Sequence, residues 1–241
     1  MIKNLQLRPK IYLISPPEII LKDFAKELDE ALKTKLVPVF QLRLKNYQIS
    51  QIKKIALELQ KICQQNNCLF LLNDFVDLAL EIGADGVHLG AQDDSVKLAY
   101  EKIKKITKNS VLSSIRNAKI RNAKAQGEPQ NFIIGASCYD SKHLTMIAGE
   151  QGANYVSFGT FFPSKTKNSQ GKPTTEILKW CNEITNLPIV AIGGITDQNC
   201  NSLVKAGADF LAVISYVWQN SSGVSLAITK LEEKIKIAAF G

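Results

Sequence analysis

Two cations and an amide alternate with leucines in the segment Gln41-Leu-Arg-Leu-Lys45. In an extended strand every second side chain lies on the same face, so Gln41, Arg43 and Lys45 project together and the leucines project the opposite way. A row of this kind, facing the inside of a protein, suits a polyanionic ligand. The alternative that the pattern leaves open is a solvated edge strand with ordinary alternation.

Carboxylates follow two further apolar runs. Asn73-Asp74 ends one of these runs, and Asp93 follows the next. Where such runs are neighbouring parallel strands, the two carboxylates reach the same edge of the sheet and can hold Mg²⁺ beside a phosphate. For Asp93 and its neighbour Asp94, the open alternative is a place in the first turn of a helix, where acidic residues favour the helix dipole.

Three later segments suit phosphate groups. The residues from Gly159 to Lys167 are rich in hydroxyls and cations, and Gly193-Gly194-Ile195 and Val213-Ile214-Ser215 follow at later strand ends. Glycines and backbone N–H groups at such positions often bind phosphate in α/β barrels, although a glycine pair by itself also serves as a simple turn. His88 lies inside an apolar run, which favours a hydrogen-bonded core histidine over a proton-transfer role.

A repeating order of strands and helices must position these residues. Short apolar, β-branched runs alternate with longer segments at helical spacing, which is typical of a parallel sheet with crossover helices. Eight such units predict an α/β protein with a (β/α)8 TIM barrel, whose reactive residues lie at the C-terminal ends of the strands. The predicted strands are Ile11–Ser15, Val37–Leu44, Cys68–Asn73, Gly86–Gly90, Phe132–Cys138, Asn154–Phe161, Pro188–Gly193 and Phe210–Ser215.

Helix boundaries carry their own signals. Side-chain oxygens can cap the first turn of a helix, and a glycine often ends one. First-turn caps are predicted at Ser50, at Thr174 or Thr175 and at Thr196-Asp197, and C-caps at Gly83, Gly152 and Gly207.

The segment between Asp93 and Phe132 is longer than one crossover helix needs. We predict a helix over Ser95–Thr107 and a basic insertion at about 109–130, within a single barrel domain spanning residues 1–241. Between residues 94 and 132, nine lysines and arginines face three acidic residues and account for most of the net charge of +8. A solvated helical face explains this charge better than nucleic-acid binding, because the stretch 116–124 has no interleaved aromatic residue or binding motif.

The composition is that of an ordinary globular protein, with 45% hydrophobic and 22% charged residues in 241. No apolar run is long enough to span a bilayer, and the N-terminus has no hydrophobic signal segment, so we expect no membrane association. Five cysteines without a CxxC pair or a zinc-finger histidine indicate packing roles in a reducing, cytoplasmic environment. The oligomeric state, a homo-oligomer included, stays open.

In their order along the chain, these motifs resemble the thiamine-phosphate synthase and thiazole tautomerase family. The resemblance extends from about Tyr12 to Ser215. The segments that carry it are Tyr12-Leu-Ile14, Gln41-Leu-Arg-Leu-Lys45, Leu72-Asn-Asp74 with Val76-Asp-Leu78, Gly83-Ala-Asp-Gly-Val-His-Leu-Gly90, Ile134-Gly-Ala-Ser137, Gly159 to Lys167, and Ala191-Ile-Gly-Gly-Ile195.

The resemblance implies a transferase that joins 4-amino-5-hydroxymethyl-2-methylpyrimidine diphosphate to hydroxyethylthiazole phosphate, with Mg²⁺ as cofactor and pyrophosphate as leaving group. In that family pyrophosphate departs first, so its negative charge must be stabilised, and the resemblance implies catalytic roles for Lys167, Ser137 and Arg43. The further roles that it implies are binding of the diphosphate by Arg43, Lys45, Asn73, Ser137 and Lys167, of the pyrimidine by Gln41 and His88, of Mg²⁺ by Asp74 and Asp93, and of the thiazole phosphate by Ser164, Thr166, Gly194, Ile214 and Ser215.

Three positions depart from the pattern of the synthase. Phe75 and Ala91 stand where it has arginine and glutamine, and Tyr139 stands where it has histidine. The tautomerase is expected to use that histidine as acid or base, so Tyr139 disfavours the tautomerase alternative. A non-catalytic relative that binds a phosphorylated ligand stays as the alternative from another class of protein.

Overall fold

The computed structural model describes residues 9–90, 95–116, 132–163 and 171–241. Within them, each strand pairs in parallel with the next and the last pairs with the first, so the sheet closes into a barrel. This confirms the predicted (β/α)8 fold. The strands are β1 (Lys10–Ile14), β2 (Val39–Leu42), β3 (Leu69–Asn73), β4 (Gly86–Gly90), β5 (Ile133–Tyr139), β6 (Tyr155–Phe158), β7 (Ile189–Ile192) and β8 (Phe210–Val213).

Helices follow the strands and cover the outside of the barrel. None in the described ranges is both long and apolar enough to cross a membrane. Their bounds are α1 (Leu21–Lys33), α2 (Ile49–Gln65), α3 (Val76–Glu81), α4 (Ser95–Arg116), α5 (Lys142–Glu150), α6 (Thr175–Ile184), α7 (Asn201–Lys205), α8 (Ser215–Trp218) and α9 (Val224–Phe240).

Several predicted boundaries are wrong by a few residues. Strand β2 is shorter than Val37–Leu44, so Arg43 and Lys45 lie beyond the end of its ladder. Pro38 immediately precedes β2, and proline has no N–H to donate to a neighbouring strand. The helix expected to end at Thr107 continues as α4 to Arg116, because no proline or glycine interrupts that stretch. The rest of the expected insertion, residues 117–130, lies outside the described residues.

The predicted N-terminal caps are also only partly correct. Helix α2 begins at Ile49, and its first turn is closed by Gln51, whose Oε1 accepts a hydrogen bond from the Gln48 N–H at 3.0 Å, rather than by Ser50. Thr174 precedes α6 but its side chain makes no capping bond. Thr196 Oγ1 accepts from Gln198 N–H at 3.2 Å in a turn that precedes α7.

The predicted C-caps are confirmed. Gly83, Gly152 and Gly207 all have positive φ, between +66° and +96°. The alanine after each glycine donates its N–H back to a helical carbonyl five residues earlier, as in Ala84 to Ala79 at 2.9 Å. This six-residue closure needs a left-handed residue at the glycine, where a side chain would be strained.

The residue after each of these alanines joins two neighbouring strands. An oxygen of its side chain accepts a backbone N–H from the preceding strand, at 2.7 Å in all three cases. The Gly-Ala-Asp/Asn triplet therefore ends a helix and also aligns the start of an even-numbered strand. The three pairs are Asp85 with Phe70 N–H, Asn154 with Ile134 N–H, and Asp209 with Ile189 N–H.

Two apolar layers hold the barrel together. A large layer between the strands and the helices includes Phe40, Phe70 and Phe158, all fully buried. A smaller one fills the inside of the barrel, where Tyr12 and Tyr155 pack among aliphatic side chains. Burial of this apolar surface is the main stabilising contribution to the fold. The inner layer also forms the floor beneath the carboxyl ends of the strands.

Candidate active site

A cavity that is open to solvent lies at the carboxyl ends of the strands. Ten of the residues predicted from the sequence border it, and four (Asp93, Ser164, Thr166 and Lys167) lie outside the described residues. The barrel brings these ten together from strand ends far apart in sequence. They are Gln41, Arg43, Lys45, Asn73, Asp74, His88, Ser137, Gly194, Ile214 and Ser215.

The ends of β2 and β3 bring a cation close to a carboxylate. The Arg43 N–H donates to Ser15 Oγ at 2.9 Å, which fixes the backbone just beyond β2. Burial lowers the pKa of Arg43 from its ordinary value, and the nearby carboxylate of Asp74 partly offsets this by favouring the charged guanidinium. Asp74 has φ +70°, an uncommon conformation for a non-glycine residue that often marks a functional position.

Glycines after β7 allow the loop after β6 to pack closely. Phe161 N–H donates to Ile192 O at 3.1 Å, and Phe162 N–H donates to Gly193 O at 3.0 Å. A Cβ on Gly194 would lie 2.4 Å from Pro163 O, and Gly194 also has φ +61°. The glycine pair is therefore more than a simple turn, because it positions the chain that leads into the segment beginning at residue 164.

A continuous chain of hydrogen bonds crosses the floor of the cavity. It begins at Asp74 and ends at Ser157, and its members come from strands β1 to β6 or directly follow one of them. The links are Asn73 Nδ2 to Asp74 Oδ2 (2.6 Å), Gln41 Nε2 to Asn73 Oδ1 (2.7 Å), Tyr12 OH to Gln41 Oε1 (2.9 Å), Tyr12 OH with Tyr155 OH (2.8 Å), Tyr155 OH with His88 Nδ1 (2.8 Å), His88 Nε2 with Ser137 Oγ (3.1 Å), and Ser137 Oγ with Ser157 Oγ (3.4 Å).

Sequence reasoning missed Tyr12, Tyr155 and Ser157 as members of the site. Their signal was a hydroxyl in the middle of a buried strand, which must find a hydrogen-bond partner inside the barrel. Gly135 makes room for one of them, since a Cβ there would lie 2.0 Å from the Tyr155 ring. Desolvation by burial raises the pKa of both phenols above their ordinary value, so both stay neutral at physiological pH.

The structure places two of the three departures from the family pattern. Phe75 is half-buried and packs against the core, where an arginine would meet apolar side chains. Tyr139 borders the cavity with φ +57°, next to a register shift between β5 and β6. Ala91 lies outside the described residues. All five cysteines are buried free thiols, as expected for packing residues.

The described side chains around the cavity fit a partial magnesium site rather than a complete one. Within the described part of the chain, no cluster of three or more His, Cys, Asp or Glu side chains forms a complete protein cage. Mg²⁺ characteristically takes one or two carboxylates and completes its shell with water and substrate phosphates. Asp74, at the edge of a cationic cavity, fits that kind of partial site.

A closed parallel barrel with cations, a carboxylate and glycine-rich loops around one cavity at its carboxyl end defines a (β/α)8-barrel enzyme of the phosphate-binding kind. The family model described as thiamine monophosphate synthase matches residues 11–127 and 114–217. The chain belongs to that family.

Curated relatives and a solved structure agree with this assignment. The chain is 39% identical over 219 residues to a thiamine-phosphate synthase of Rhodospirillum centenum, covering 91% of this chain and 94% of the relative. It is 38% identical over 237 residues to that of Erythrobacter litoralis, covering 97% and 98%. The structure of a thiamine phosphate pyrophosphorylase from Pyrococcus furiosus superimposes with a TM-score of 0.72 at 29% identity, covering 99% of this chain and all of the other.

Proposed function

We propose that this protein joins 4-amino-5-hydroxymethyl-2-methylpyrimidine diphosphate to hydroxyethylthiazole phosphate, giving thiamine phosphate and pyrophosphate. Membership of the family supports this activity. The observation that carries it is the convergence of Arg43, Lys45, Asn73 and Asp74 on one cavity. This set supplies positive charge and an amide donor for a diphosphate beside a carboxylate suited to a metal ion.

The diphosphate binds at the ends of β2 and β3 in this proposal. Arg43 is partly removed from solvent, and its guanidinium can form two parallel hydrogen bonds to phosphate oxygens. Lys45 is exposed at the rim and adds a mobile positive charge. Lys167 is assigned to the same group by the family resemblance. Charge that builds up on the departing pyrophosphate is then stabilised by groups already in place.

Asp74, together with Asp93, holds Mg²⁺ in this proposal. When bound, the ion supplies Lewis-acid stabilisation of negative charge on the diphosphate. The other residues act by position. In this proposal Gln41 and His88 contact the pyrimidine and Ser137 contacts the diphosphate. All three border the cavity, and Ser137 Oγ lies 3.1 Å from His88 Nε2. Holding the thiazole nitrogen against the pyrimidine carbon converts an encounter of two molecules into a step within one complex.

The thiazole phosphate is assigned to the opposite side of the cavity. Gly194, Ile214 and Ser215 border that side, after β7 and β8. Ser164 and Thr166 join them by the family resemblance. Asn199 Nδ2 donates to Gly194 O at 2.9 Å and so stabilises the glycine turn from behind. Separate sites for the two phosphorylated substrates leave the reacting atoms between them.

The proposed activity is tested by mixing the purified protein with both substrates and following thiamine phosphate by mass spectrometry. We expect product with Mg²⁺ and a large loss of product with a chelator. Arg43→Ala should abolish most of the product, whereas Lys179→Ala, on the outside of the barrel, should not. Absence of product with Mg²⁺ present, alongside binding of the thiazole phosphate, would support the non-catalytic alternative instead.

We also propose a cytoplasmic location, which the five free, buried thiols support, because a reducing compartment keeps such cysteines unpaired. The proposed partners are the two small-molecule substrates, with no nucleic acid. The oligomeric state stays open, and sedimentation of the purified protein measures it directly.

A further inference from the structure

In the chain of hydrogen bonds across the cavity floor, each group donates to the neighbour on its Asp74 side. The carboxylate of Asp74 fixes this order. An ionised carboxylate accepts hydrogen bonds and donates none. The Asn73 atom 2.6 Å from Asp74 Oδ2 is therefore the amide nitrogen, Nδ2. The other end of the same amide is the oxygen Oδ1, which faces Gln41 and can only accept.

The Gln41 amide continues this order of donors and acceptors, so that Tyr12 must act as a donor. Because Asn73 Oδ1 accepts, the Gln41 atom 2.7 Å away is Nε2. Gln41 Oε1 then faces Tyr12 and accepts the phenolic proton at 2.9 Å. Reversing either amide would bring two donors or two acceptors together at a buried position, which is energetically costly. Gln41 and Asn73 are both buried, so water does not easily take the place of either partner.

The two tyrosines continue the same order of donors and acceptors as far as His88. A neutral phenol has a single proton, and that of Tyr12 is committed to Gln41. In the 2.8 Å contact between the phenols, Tyr155 is therefore the donor. The Tyr155 proton is thus already donated to Tyr12. The Tyr155 oxygen therefore accepts a hydrogen bond from His88 Nδ1, which is also 2.8 Å away. Burial, which raises the pKa of both phenols, keeps the two links protonated.

We propose that Tyr12 and Tyr155 are positioning residues that hold neutral His88 as its Nδ1–H tautomer, with the unprotonated Nε2 directed at Ser137. The carboxylate of Asp74 selects this tautomer through five successive hydrogen bonds. Ser137 Oγ, 3.1 Å from Nε2, is the nearest hydroxyl and consequently donates its proton to His88, while Ser157 Oγ lies 3.5 Å from the same nitrogen. A ligand oxygen that takes a hydrogen bond from Ser137 must compete with the imidazole for that proton.

The proposal goes beyond the proposed activity, since the direction of the chain does not depend on which ligand fills the cavity. Its readout is the ¹⁵N spectrum of the ligand-free protein, in which a protonated and an unprotonated imidazole nitrogen resonate far apart. The chain has two histidines. Replacing the exposed one, His143→Gln, leaves His88 as the only imidazole signal. Spectra are recorded near pH 8.5, roughly two units above the usual histidine pKa.

In this single-histidine protein we expect Nδ1 to be protonated and Nε2 to be unprotonated. Tyr12→Phe removes the acceptor for the Tyr155 proton, so Tyr155 should turn and donate to Nδ1. The imidazole proton should then move to Nε2, and the two ¹⁵N signals should exchange their character. Asp74→Asn removes the acceptor-only end of the chain and should weaken the preference for Nδ1–H from a distance.

The matched control is Tyr216→Phe, which removes a phenol from the same cavity. Tyr216 interacts with Asp197 and is not a member of the chain, so the tautomer should not change. An Nε2–H tautomer in the parent protein overturns the proposal, and this reading needs no variant to fold. An unchanged tautomer in a folded Tyr12→Phe protein overturns it too. Loss of thiamine phosphate formation alone does neither, which separates this test from that of the proposed activity.

Discussion

At the amino-terminal end of the barrel, backbone N–H groups of neighbouring strands donate hydrogen bonds to the side-chain oxygens of Asp85, Asn154 and Asp209. At the carboxyl end, Arg43 and Asp74 border an open cavity instead. Both ends are formed by the same eight strands. A polar residue therefore stabilises the fold at one end of a strand and is available to a ligand at the other.

The comparison predicts that substitutions at the two ends separate into two kinds. Changes at the carboxyl end should lower turnover with little change in the free energy of unfolding. Changes at the amino-terminal end should lower the free energy of unfolding and leave the turnover of folded molecules intact.

The largest effect is expected for Lys167→Ala, because the family resemblance assigns Lys167 to the diphosphate site. A charge directed at departing pyrophosphate contributes most once negative charge has built up, so turnover should fall more than substrate affinity. One such contact contributes about 3 kcal/mol to lowering the barrier, roughly a hundredfold in rate. Steady-state kinetics of Lys167→Ala and Lys165→Ala provide the test. Equal effects, or a larger loss at Lys165, would mean that the assigned loop register is wrong.

Asp74→Asn should raise the Mg²⁺ concentration for half-maximal turnover by at least roughly tenfold, because a charged ligand is replaced by a neutral one. Its free energy of unfolding should change by no more than about 1 kcal/mol, since the side chain is exposed. Titration of activity with Mg²⁺ and urea unfolding measure the two quantities. The same result is expected for Asp93→Asn. Wild-type turnover at limiting Mg²⁺ would show that the residue tested is not a ligand.

At the amino-terminal end, Asp209→Ala should destabilise the fold by about 1–3 kcal/mol, because it leaves the buried Ile189 N–H without its acceptor. Asp209→Asn retains an oxygen acceptor and should cost less. Urea unfolding measures the change, and turnover per folded molecule should stay at the wild-type value. An Asp209→Ala variant with the wild-type free energy of unfolding but reduced turnover would contradict the division between the two ends.

The smallest effect is expected for Lys179→Ala, on the outside of the barrel. Its ammonium lies 2.8 Å from Glu176, but both side chains are more than half exposed to solvent. Pairs of this kind contribute about 0–0.5 kcal/mol. Neither unfolding by urea nor turnover should differ measurably from wild type. A change in either would show that the division by position along the strands is incomplete.

Much of the architecture followed from local patterns. Eight apolar runs alternating with helical segments predicted the barrel, because each pattern reports which side of an element must be buried. Gly83, Gly152 and Gly207 were predictable as helix ends, because a left-handed residue there is a local requirement. The end of α4 was not predictable, because the segment from Lys108 to Arg116 has no residue that stops a helix and no pattern that requires one.

The candidate site also has one part that the sequence predicted and one part that it did not. Arg43, Lys45, Asn73 and Asp74 were recognisable by type and by position at strand ends, because closure of a parallel barrel brings all such ends to one side. The hydrogen-bonded floor was decided by tertiary structure alone. Tyr12 and Tyr155 are 143 residues apart, and their phenols meet only because β1 and β6 face one another across the barrel interior, which Gly135 leaves open. A local pattern shows that a buried hydroxyl needs a partner, whereas the closed barrel determines which residue that partner is.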